Sequence, residues 1–338
     1  LSDYSPAIGT GVDSVEMPLT NGNVWYYAPN TDLLGDSRPN PAGSNPDIGA
    51  YENEFASRLT ITRYVATDGS NSNDGSVNSP LATIQYAINQ VATGDTIFVN
   101  SGTYYEYLTL GYSNFVLMSL EGRDSTIIDG INNGTIFTIL NSNTDTTTLI
   151  QGFTIQNGYN SSSRGGGFKL DNYASVKVKN CIIKDNTTAA ISYGNGGGFS
   201  SSRSSSVIEN CIFTGNTGGE GGAIGLLYDI GTQIRGCEFY NNTGTNSGAA
   251  IEILYNSSGK QKIINSSFHD QATFIEIEQA TDDSVLIINC DFSNSTGGSI
   301  RTNNQIKYLY IYGCTFRDIT SESQGAAIES SEGDILHI

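Results

Sequence analysis

Val178–Ile183 reads Val-Lys-Asn-Cys-Ile-Ile, Ile208–Phe213 reads Ile-Glu-Asn-Cys-Ile-Phe, and Ile234–Phe239 reads Ile-Arg-Gly-Cys-Glu-Phe, so three segments of the chain repeat one pattern. A β-branched residue stands three places before each Cys, and a large apolar residue stands two places after it. This alternation is typical of short strands with one buried face.

The pattern recurs seven times when two other residues fill gaps in the Cys series. The anchors are Phe153, Cys181, Cys211, Cys237, Ser266, Cys290 and Cys314, spaced 28, 30, 26, 29, 24 and 24 residues apart. The residue before each anchor is Asn or Gly, the types that enter the left-handed region most easily. We expect positive φ at Gly152, Asn180, Asn210, Gly236, Asn265, Asn289 and Gly313. We expect one buried column at Ile150, Val178, Ile208, Ile234, Ile263, Ile287 and Ile311.

A second pattern sets small residues before a large apolar one, as a tight corner entering a strand requires. The large residues are Phe168, Phe199, Ile224, Ile251, Ile300 and Ile328. Each repeat of 24 to 31 residues then holds three short strands. Strands so short and so regularly spaced predict an all-β solenoid, in which each strand pairs in parallel with its counterpart one coil later.

Composition excludes two classes of protein. The chain has 338 residues and a net charge of −18, from 16 basic and 34 acidic side chains, so nucleic acid would repel it. No apolar run is long enough to predict a transmembrane segment.

The columns over about residues 95–338 resemble the right-handed parallel β-helices of pectate-lyase-like proteins. The segments Tyr64–Gly75, Ser79–Gln85, Gly94–Val99 and Gly102–Tyr104 look like the opening of such domains, in the right order. The resemblance therefore implies a right-handed parallel β-helix with three strands per coil and an N-terminal cap at about 64–104.

The resemblance also implies that the Pro80–Val91 segment is a short capping helix. Ser79 is a suitable N-cap, and Pro80 suits the first helical position. The expected apolar face consists of Ile84, Ala87, Ile88 and Val91.

Residues 1–57 are similar to the closing segment of another β-helix. Pro46–Glu52, with the sequence Pro-Asp-Ile-Gly-Ala-Tyr-Glu, carries most of that likeness. We therefore expect a preceding module over 1–57, a linker at Phe55–Thr62, and a C-terminally incomplete β-helix over 58–338. The chain would then be part of a longer polypeptide whose further β-helix modules are its neighbours.

The Cys column predicts packing and not chemistry. No two of the five Cys form a CxxC pair, and Phe153 and Ser266 interrupt any series of metal ligands. We expect Cys181, Cys211 and Cys237 to be buried and reduced, because in-register stacking points their Cβ atoms in the same direction.

An acidic loop leaves metal binding open. Asp68–Gly75 reads Asp-Gly-Ser-Asn-Ser-Asn-Asp-Gly, which offers oxygen ligands for calcium but lacks the terminal Glu of an EF-hand. The other interpretation is an Asx-rich turn bonded to its own backbone. No other cofactor is predicted.

The sequence contains only part of the motif set of a β-helical glycoside hydrolase. Asn143–Asp145 and Asp282–Asp283 resemble the clustered carboxylates of polygalacturonases, but the Gly-His-Gly and Arg-x-Lys motifs of those enzymes are absent. His269 and His337 lack Gly neighbours.

A lyase of this fold would use a Lys or Arg base beside calcium-binding acids. The candidates around one coil are Lys169, Lys177, Lys179, Lys184, Asp171 and Asp185. Strand alternation points Lys177 and Lys179 outward, as ordinary surface residues do. No residue is therefore assigned as catalytic.

Sugar rings could stack on Tyr159, Tyr193, Tyr228 and Tyr255, which follow the strands. We expect a structural or adhesive module of a secreted, cell-surface bacterial protein, which binds glycans or other surface proteins and has no cleaving activity. The alternative is a polysaccharide lyase or glycoside hydrolase of the β-helix type.

Overall fold

The bends predicted from the Asn and Gly column turn the chain once in every repeat. In the structure, a computed structural model, φ lies between 51° and 83° at all seven positions. The β-branched residue two places before each bend is buried, with at most 2% of its surface exposed. Both expectations from the sequence are confirmed.

Residues 14–17, 24–27, 29–31, 37–38, 60–111, 113–189, 194–246, 249–255, 259–278, 284–303, 306, 308–321, 325–330 and 336–337 are described. The chain divides into two units, Leu1–Thr60 and Ile61–Ile338. In the first unit Ser14–Met17 pairs antiparallel with Val24–Tyr27. The proposal that residues 1–57 close a preceding β-helix stays a prediction.

The second unit is a tube of coils built from three long sheets and one short one. Sheet 1 contains Thr62–Val65, Thr96–Val99, Val116–Ser119, Leu149–Gln151, Lys177–Lys179, Val207–Glu209, Gln233–Arg235, Gln261–Ile264, Ser284–Ile288, Tyr308–Tyr312 and Leu336–His337. Sheet 2 contains Gly102–Tyr104, Thr126–Asp129, Thr154–Gln156, Ile182–Lys184, Ile212–Thr214, Glu238–Tyr240, Ser267–Gln271, Asp291–Ser295 and Thr315–Ile319. Sheet 3 contains Leu108–Leu110, Phe137–Ile139, Phe168–Leu170, Phe199–Ser202, Gly221–Leu227, Ala249–Leu254, Thr273–Glu278, Ile300–Asn303 and Ile328–Glu329. Sheet 4 contains Tyr159–Asn160, Thr187–Thr188, Thr217–Gly218 and Thr243–Gly244.

Equivalent residues of successive coils lie side by side. Val178 pairs with Ile208 and Ile208 with Ile234, in parallel strands of sheet 1. The strands of sheets 2 and 3 are also parallel, as the sequence predicts, and so are those of a fourth sheet. Sheet 4 was not predicted, because strands of two polar residues carry no hydrophobic alternation.

The interior of the tube is a stack of identical columns. In sheet 2, Phe213, Phe239, Phe268 and Phe292 stack with ring centroids 4.7–5.0 Å apart. Such contacts add about 0.5–1.5 kcal/mol per aromatic pair to the free energy of burial.

A second column of bends lies at or just after the C-terminal ends of the strands of sheet 2. The residues with positive φ are Asn157, Asp185, Gly215, Asn241, Asp270, Asn294 and Asp318. The next residue in three coils is a buried Asn, namely Asn186, Asn216 and Asn242.

These three residues form an asparagine ladder inside the tube. Asn216 Nδ2 donates to the carbonyl of Ile183 at 2.9 Å and to Asn242 Oδ1 at 2.9 Å. Asn216 Oδ1 accepts from the backbone N–H of Asn186 at 3.1 Å. The Asn side chain thus forms hydrogen bonds with backbone groups that, because of the bend, have no partner in a neighbouring strand.

The capping helix is shorter than the sequence predicts. It spans Ile84–Ile88, and its N-cap is Thr83, whose side chain accepts from Tyr86 N. Ser79 and Pro80 were the wrong start, because Leu81 is extended and bonds to Tyr64 at 2.8 Å. The apolar face was predicted correctly, since Ile84, Ala87, Ile88 and Val91 are all buried.

Replacing Asn216 with Ala should destabilise the tube by about 2–4 kcal/mol, because buried backbone groups lose their partners. Urea unfolding measures the change. The exposed Asn246→Ala serves as the matched control and should change stability by less than about 0.5 kcal/mol. Equal losses in the two variants would contradict a structural role for the ladder.

Candidate functional site

The four Lys residues that cluster in the sequence lie on three faces of the tube. Lys177 and Lys179 are on the outer face of sheet 1, on either side of the buried Val178. Lys184 is on sheet 2, and Lys169 is on sheet 3. The structure therefore brings together only the pair on sheet 1.

Basic side chains continue along the outer face of sheet 1. Lys179 pairs in register with Glu209, which pairs in turn with Arg235. Lys262 lies one coil further, beside Gln233. We call Lys177, Lys179, Glu209, Arg235 and Lys262 the basic strip.

Glu209 holds part of the basic strip in place. Its carboxylate lies 2.9 Å from Lys177 Nζ and 3.9 Å from an Arg235 guanidinium nitrogen. Lys179 is half-buried, and it has no ion-pair partner among the described residues. The strip therefore carries excess positive charge on a chain of net charge −18.

Asp171 and Asp185 do not join this strip. Asp171 pairs with Arg164 at 2.6 Å, and Asp185 occupies a bend with φ of 54°. Asp171 follows a strand of sheet 3 and Asp185 follows a strand of sheet 2, so neither lies on the outer face of sheet 1.

The outer face of sheet 3 carries a carboxyl cluster that the sequence analysis missed. Gly225, Glu252, Glu276, Arg301 and Glu329 follow one another in register. Arg301 Nε pairs with Glu329 at 3.1 Å.

Glu252 is the most constrained member of the carboxyl cluster. Only 2% of its surface is exposed, and among the described residues its Oε2 has no hydrogen-bond partner. It is hydrogen-bonded to Glu220, which also accepts from Gly194 N at 3.1 Å. Burial first, and then Glu220, Glu278 and Glu276, raise the pKa of Glu252 to about 10. Glu252 is therefore protonated at neutral pH.

The Cys column is buried as predicted. Cys181, Cys211 and Cys237 are at most 2% exposed, and all five Cys are free thiols. Burial raises the pKa of Cys211. Cys314 differs, because it is half-buried and its hydrogen bond with Cys290 lowers its pKa to about 7.

The oxygen-rich loop at 68–75 bonds to its own chain. Asn71 Oδ1 accepts from Ala82 N and Thr83 N, and Asn73 Nδ2 donates to the Pro80 carbonyl. The Asp74 carboxylate accepts from Ser76 N at 2.9 Å, which lowers the pKa of Asp74. Asp74 thus forms an Asx turn, whereas Asn71 and Asn73 bind backbone groups of residues 80–83. Calcium binding stays a prediction.

Other candidates from the sequence have local partners. Asp145 accepts from Thr147 N at 2.7 Å, in a turn of the coil. Tyr228 and Tyr255 stack on each other at 5.3 Å, and Arg203 covers Tyr228 at 5.0 Å, so the Tyr228 ring is engaged by two other side chains. Tyr159 begins sheet 4. Tyr193 and Asp282–Asp283 lie outside the described residues.

Within the described ranges, no three His, Cys, Asp or Glu side chains converge in a way that could hold a metal ion. None of the described helices has the length and apolar character to cross a membrane.

Known proteins share this architecture. The solved pectate lyase Pel9A aligns with a TM-score of 0.53 and 16% identity, over 82% of this chain and 79% of that one. The fold is a pectate lyase-like right-handed parallel β-helix. The structure of XylC with xylose aligns with a TM-score of 0.51 and 10% identity, over 80% of this chain and 70% of that one.

Similarity in sequence is local. Pectate lyase PEL9 of Emericella nidulans is 35% identical over 83 residues, which are 22% of this chain and 20% of that protein. The match thus spans a fifth of the curated relative. No family model matches the chain.

The missed cluster on sheet 3 had a signal in the sequence. Glu252, Arg301 and Glu329 each follow the large apolar residue of the second pattern, so alternation alone points them outward. The burial of Glu252 could not be predicted, because it depends on neighbouring segments such as the one that carries Glu220.

Replacing Glu252 with Gln should stabilise the protein increasingly as pH rises from 5 to 9. In the wild type, the pKa of Glu252 is higher in the folded chain than in the unfolded chain. The stability that the protonated Glu252 contributes is therefore complete below the unfolded pKa and is lost as the pH rises toward 10, whereas Gln does not titrate. The amide can still donate to Glu220, and we expect a gain of at least about 1 kcal/mol at pH 8.

Thermal unfolding of the wild type and E252Q at a series of pH values measures this difference in stability. The exposed Asp124→Asn removes a carboxylate elsewhere and should show no such trend. A constant difference between E252Q and the wild type would contradict a buried proton at Glu252.

Thiol titration of the native protein should show one fast group and four slow ones. Cys314 should react first, because it is the most accessible Cys and its pKa is lowered. Cys314→Ser should remove the fast phase. Fast reaction of Cys181, Cys211 or Cys237 would show that the column opens.

Proposed function

We propose that this chain belongs to a polysaccharide-degrading protein of the β-helix type, and that the basic strip binds an acidic polysaccharide. One observation carries the proposal: four basic side chains lie on one face within four consecutive coils of a strongly acidic protein. A uronate polymer would be repelled elsewhere on the surface and attracted here.

The comparisons support degradation better than a purely structural or adhesive role. Pectate lyases occur both in the sequence match and among the similar folds. A polymer substrate requires a long open surface, and the outer face of sheet 1 offers one. The same reasoning supports an extracellular location, where such polymers are found.

The residues of the basic strip favour β-elimination over hydrolysis. In elimination, a base removes the proton beside the uronate carboxylate, and the electrons form a double bond as the C–O bond to the glycosidic oxygen breaks. That oxygen takes a proton from water and leaves as a hydroxyl group of the released chain. In the proposed reaction Lys179 acts as the base, and Arg235, two coils further along the same row of the sheet, neutralises the carboxylate. Hydrolysis needs two carboxyl groups, but the strip has one, and its cations hold it.

Calcium does not fit the basic strip. Lyases of this fold place acidic ligands beside the base, whereas Glu209 is the strip's single carboxylate and is paired with Lys177. No step of the proposed reaction uses a metal ion.

Incubation with polygalacturonate, with neutral xylan for comparison, tests the proposal. Ultraviolet absorbance of the unsaturated product should rise only with polygalacturonate. Lys179→Ala should lower the rate by about 10²-fold or more, because the base is removed. Lys184→Ala removes the same charge from sheet 2 and should leave the rate unchanged.

Binding measurements separate the two roles. Polygalacturonate binding that weakens with salt and in Lys179→Ala, without any product, would favour the structural or adhesive role. Absence of both binding and cleavage would contradict the proposal.

A further inference from the structure

His269 lies on the outer face of sheet 2, between two carboxylates. Its Nδ1 is 2.8 Å from Asp270 Oδ2, and its Nε2 is 3.1 Å from Glu238 Oε1. Asp270 follows it on the same strand, whereas Glu238 belongs to the strand of the preceding coil. On its far side, Asp270 accepts from Asn294 Nδ2 of the following coil at 3.2 Å. The imidazole therefore joins two consecutive coils of the tube.

Both ring nitrogens of His269 must carry a proton to make these contacts. A neutral imidazole has one N–H group, so one of the two carboxylates would face a nitrogen lone pair. The imidazolium donates to both carboxylates. It also stacks on the Tyr240 ring, with the centroids 5.0 Å apart and an angle of 9° between the planes, and aromatic faces attract cations. Three neighbouring groups thus favour the charged form of His269.

The following strand, Asp291–Ser295, contributes one charged residue near His269. Ser293 is the partner of His269 in register, and Asp291 is paired with Arg317 of the next coil. Among the described residues, the titratable groups that contact the imidazole are therefore Asp270, Glu238 and Tyr240.

The protonation of His269 depends on pH in the neutral range. Partial burial lowers the pKa of His269, but the hydrogen bonds and charges of Asp270 and Glu238 outweigh burial and raise the pKa above its ordinary value of 6.5. The bond to His269 in turn lowers the pKa of Asp270. Because the pKa of His269 is higher in the folded chain, the stability that it contributes is complete below pH 6.5 and is lost as the pH rises through the folded pKa.

The asparagine ladder ends at the same coil junction. Asn242 Nδ2 is 3.4 Å from Gln271 Oε1, compared with 2.9 Å for the bond from Asn216 Nδ2 to Asn242 Oδ1. The buried Nε2 of Gln271 has no hydrogen-bond partner among the described residues, which lowers the stability of the fold there. Thr243–Gly244 is also the last strand of sheet 4. The hydrogen bonds inside the tube are thus weaker at this junction than at the preceding one, so the outer contacts of His269 have more effect on it.

We propose that His269 is a pH-sensitive contact between these two coils. While the imidazole is protonated, it binds Glu238 and Asp270 and holds the strands Glu238–Tyr240 and Ser267–Gln271 together. When one of its two N–H protons is lost, a nitrogen lone pair faces a carboxylate, and the junction opens more often. The behaviour does not depend on the proposed reaction on sheet 1.

Imidazole ¹⁵N NMR of the whole chain over a range of pH tests the protonation of His269. Both ring nitrogens should carry protons at about pH 5.5, and the ring should titrate above 6.5. His269→Gln assigns the signals by removing them, while His337 keeps its own. Glu238→Gln removes one carboxylate and should lower the pH at which His269 titrates, a shift that a loss of packing alone would not produce.

Hydrogen exchange measures the opening of the junction. Asn241 N donates across it to the Asp270 carbonyl at 3.2 Å, and Asp185 N makes the equivalent bond to Thr214 two coils earlier at 3.1 Å. Between about pH 5.5 and 8.5, the protection factor of the Asn241 amide should fall about threefold to tenfold in the wild type and stay constant in His269→Gln. The Asp185 amide should keep its protection in both proteins.

Three outcomes would overturn the proposal: a His269 ring with a single N–H at about pH 5.5, equal pH dependence of Asn241 protection in the wild type and His269→Gln, or the same loss of protection at Asp185. If His269→Gln does not fold, the ring signals of the wild type and its comparison of Asn241 with Asp185 still decide the question.

Discussion

Each coil of the tube must stack in register on the one before it, so that every side chain meets its equivalent about 4.8 Å away. Registration at that distance makes similar residues neighbours: Phe stacks on Phe, Cys on Cys and Asn on Asn. It also requires the chain to turn at the same place in every coil. The bends with positive φ meet that requirement with one residue each.

The features predicted from the sequence are those that repeat. The β-branched column, the bend residues and the buried Cys were found because seven copies made each choice of residue visible. The asparagine ladder was available from the same alignment, five places after the anchor, but a polar column inside a core has no hydrophobic signal. The helix start was misplaced because local capping preference favours Ser79, whereas tertiary pairing holds Leu81 extended.

The candidate sites were harder to predict because they depend on differences between coils. Lys177 and Lys179 were correctly pointed outward, yet their grouping with Arg235 and Lys262 needs the register of four successive strands. The burial of Glu252 and the contacts of His269 arise where one coil departs from its neighbours. An alignment of the repeats shows what the coils share and hides these differences between coils, although the candidate functional residues lie at such differences.

The outer faces of sheet 1 and sheet 3 also differ in charge. Sheet 1 presents cations held by Glu209, whereas sheet 3 covers a carboxyl group that keeps its proton. A polymer lying along sheet 1 would therefore meet a field opposite in sign to that of the whole molecule.

The equal length of the last two complete repeats has a consequence for how such a chain changes during evolution. Ser266, Cys290 and Cys314 are separated by 24 residues each, and the strands around them pair without a shift. A duplication of one such unit would present the same columns at both junctions and would lengthen the tube by one step. An insertion of one residue within a strand would instead turn its inward side chains outward. Genetic variation in length is therefore expected in whole coils or in the corners between sheets.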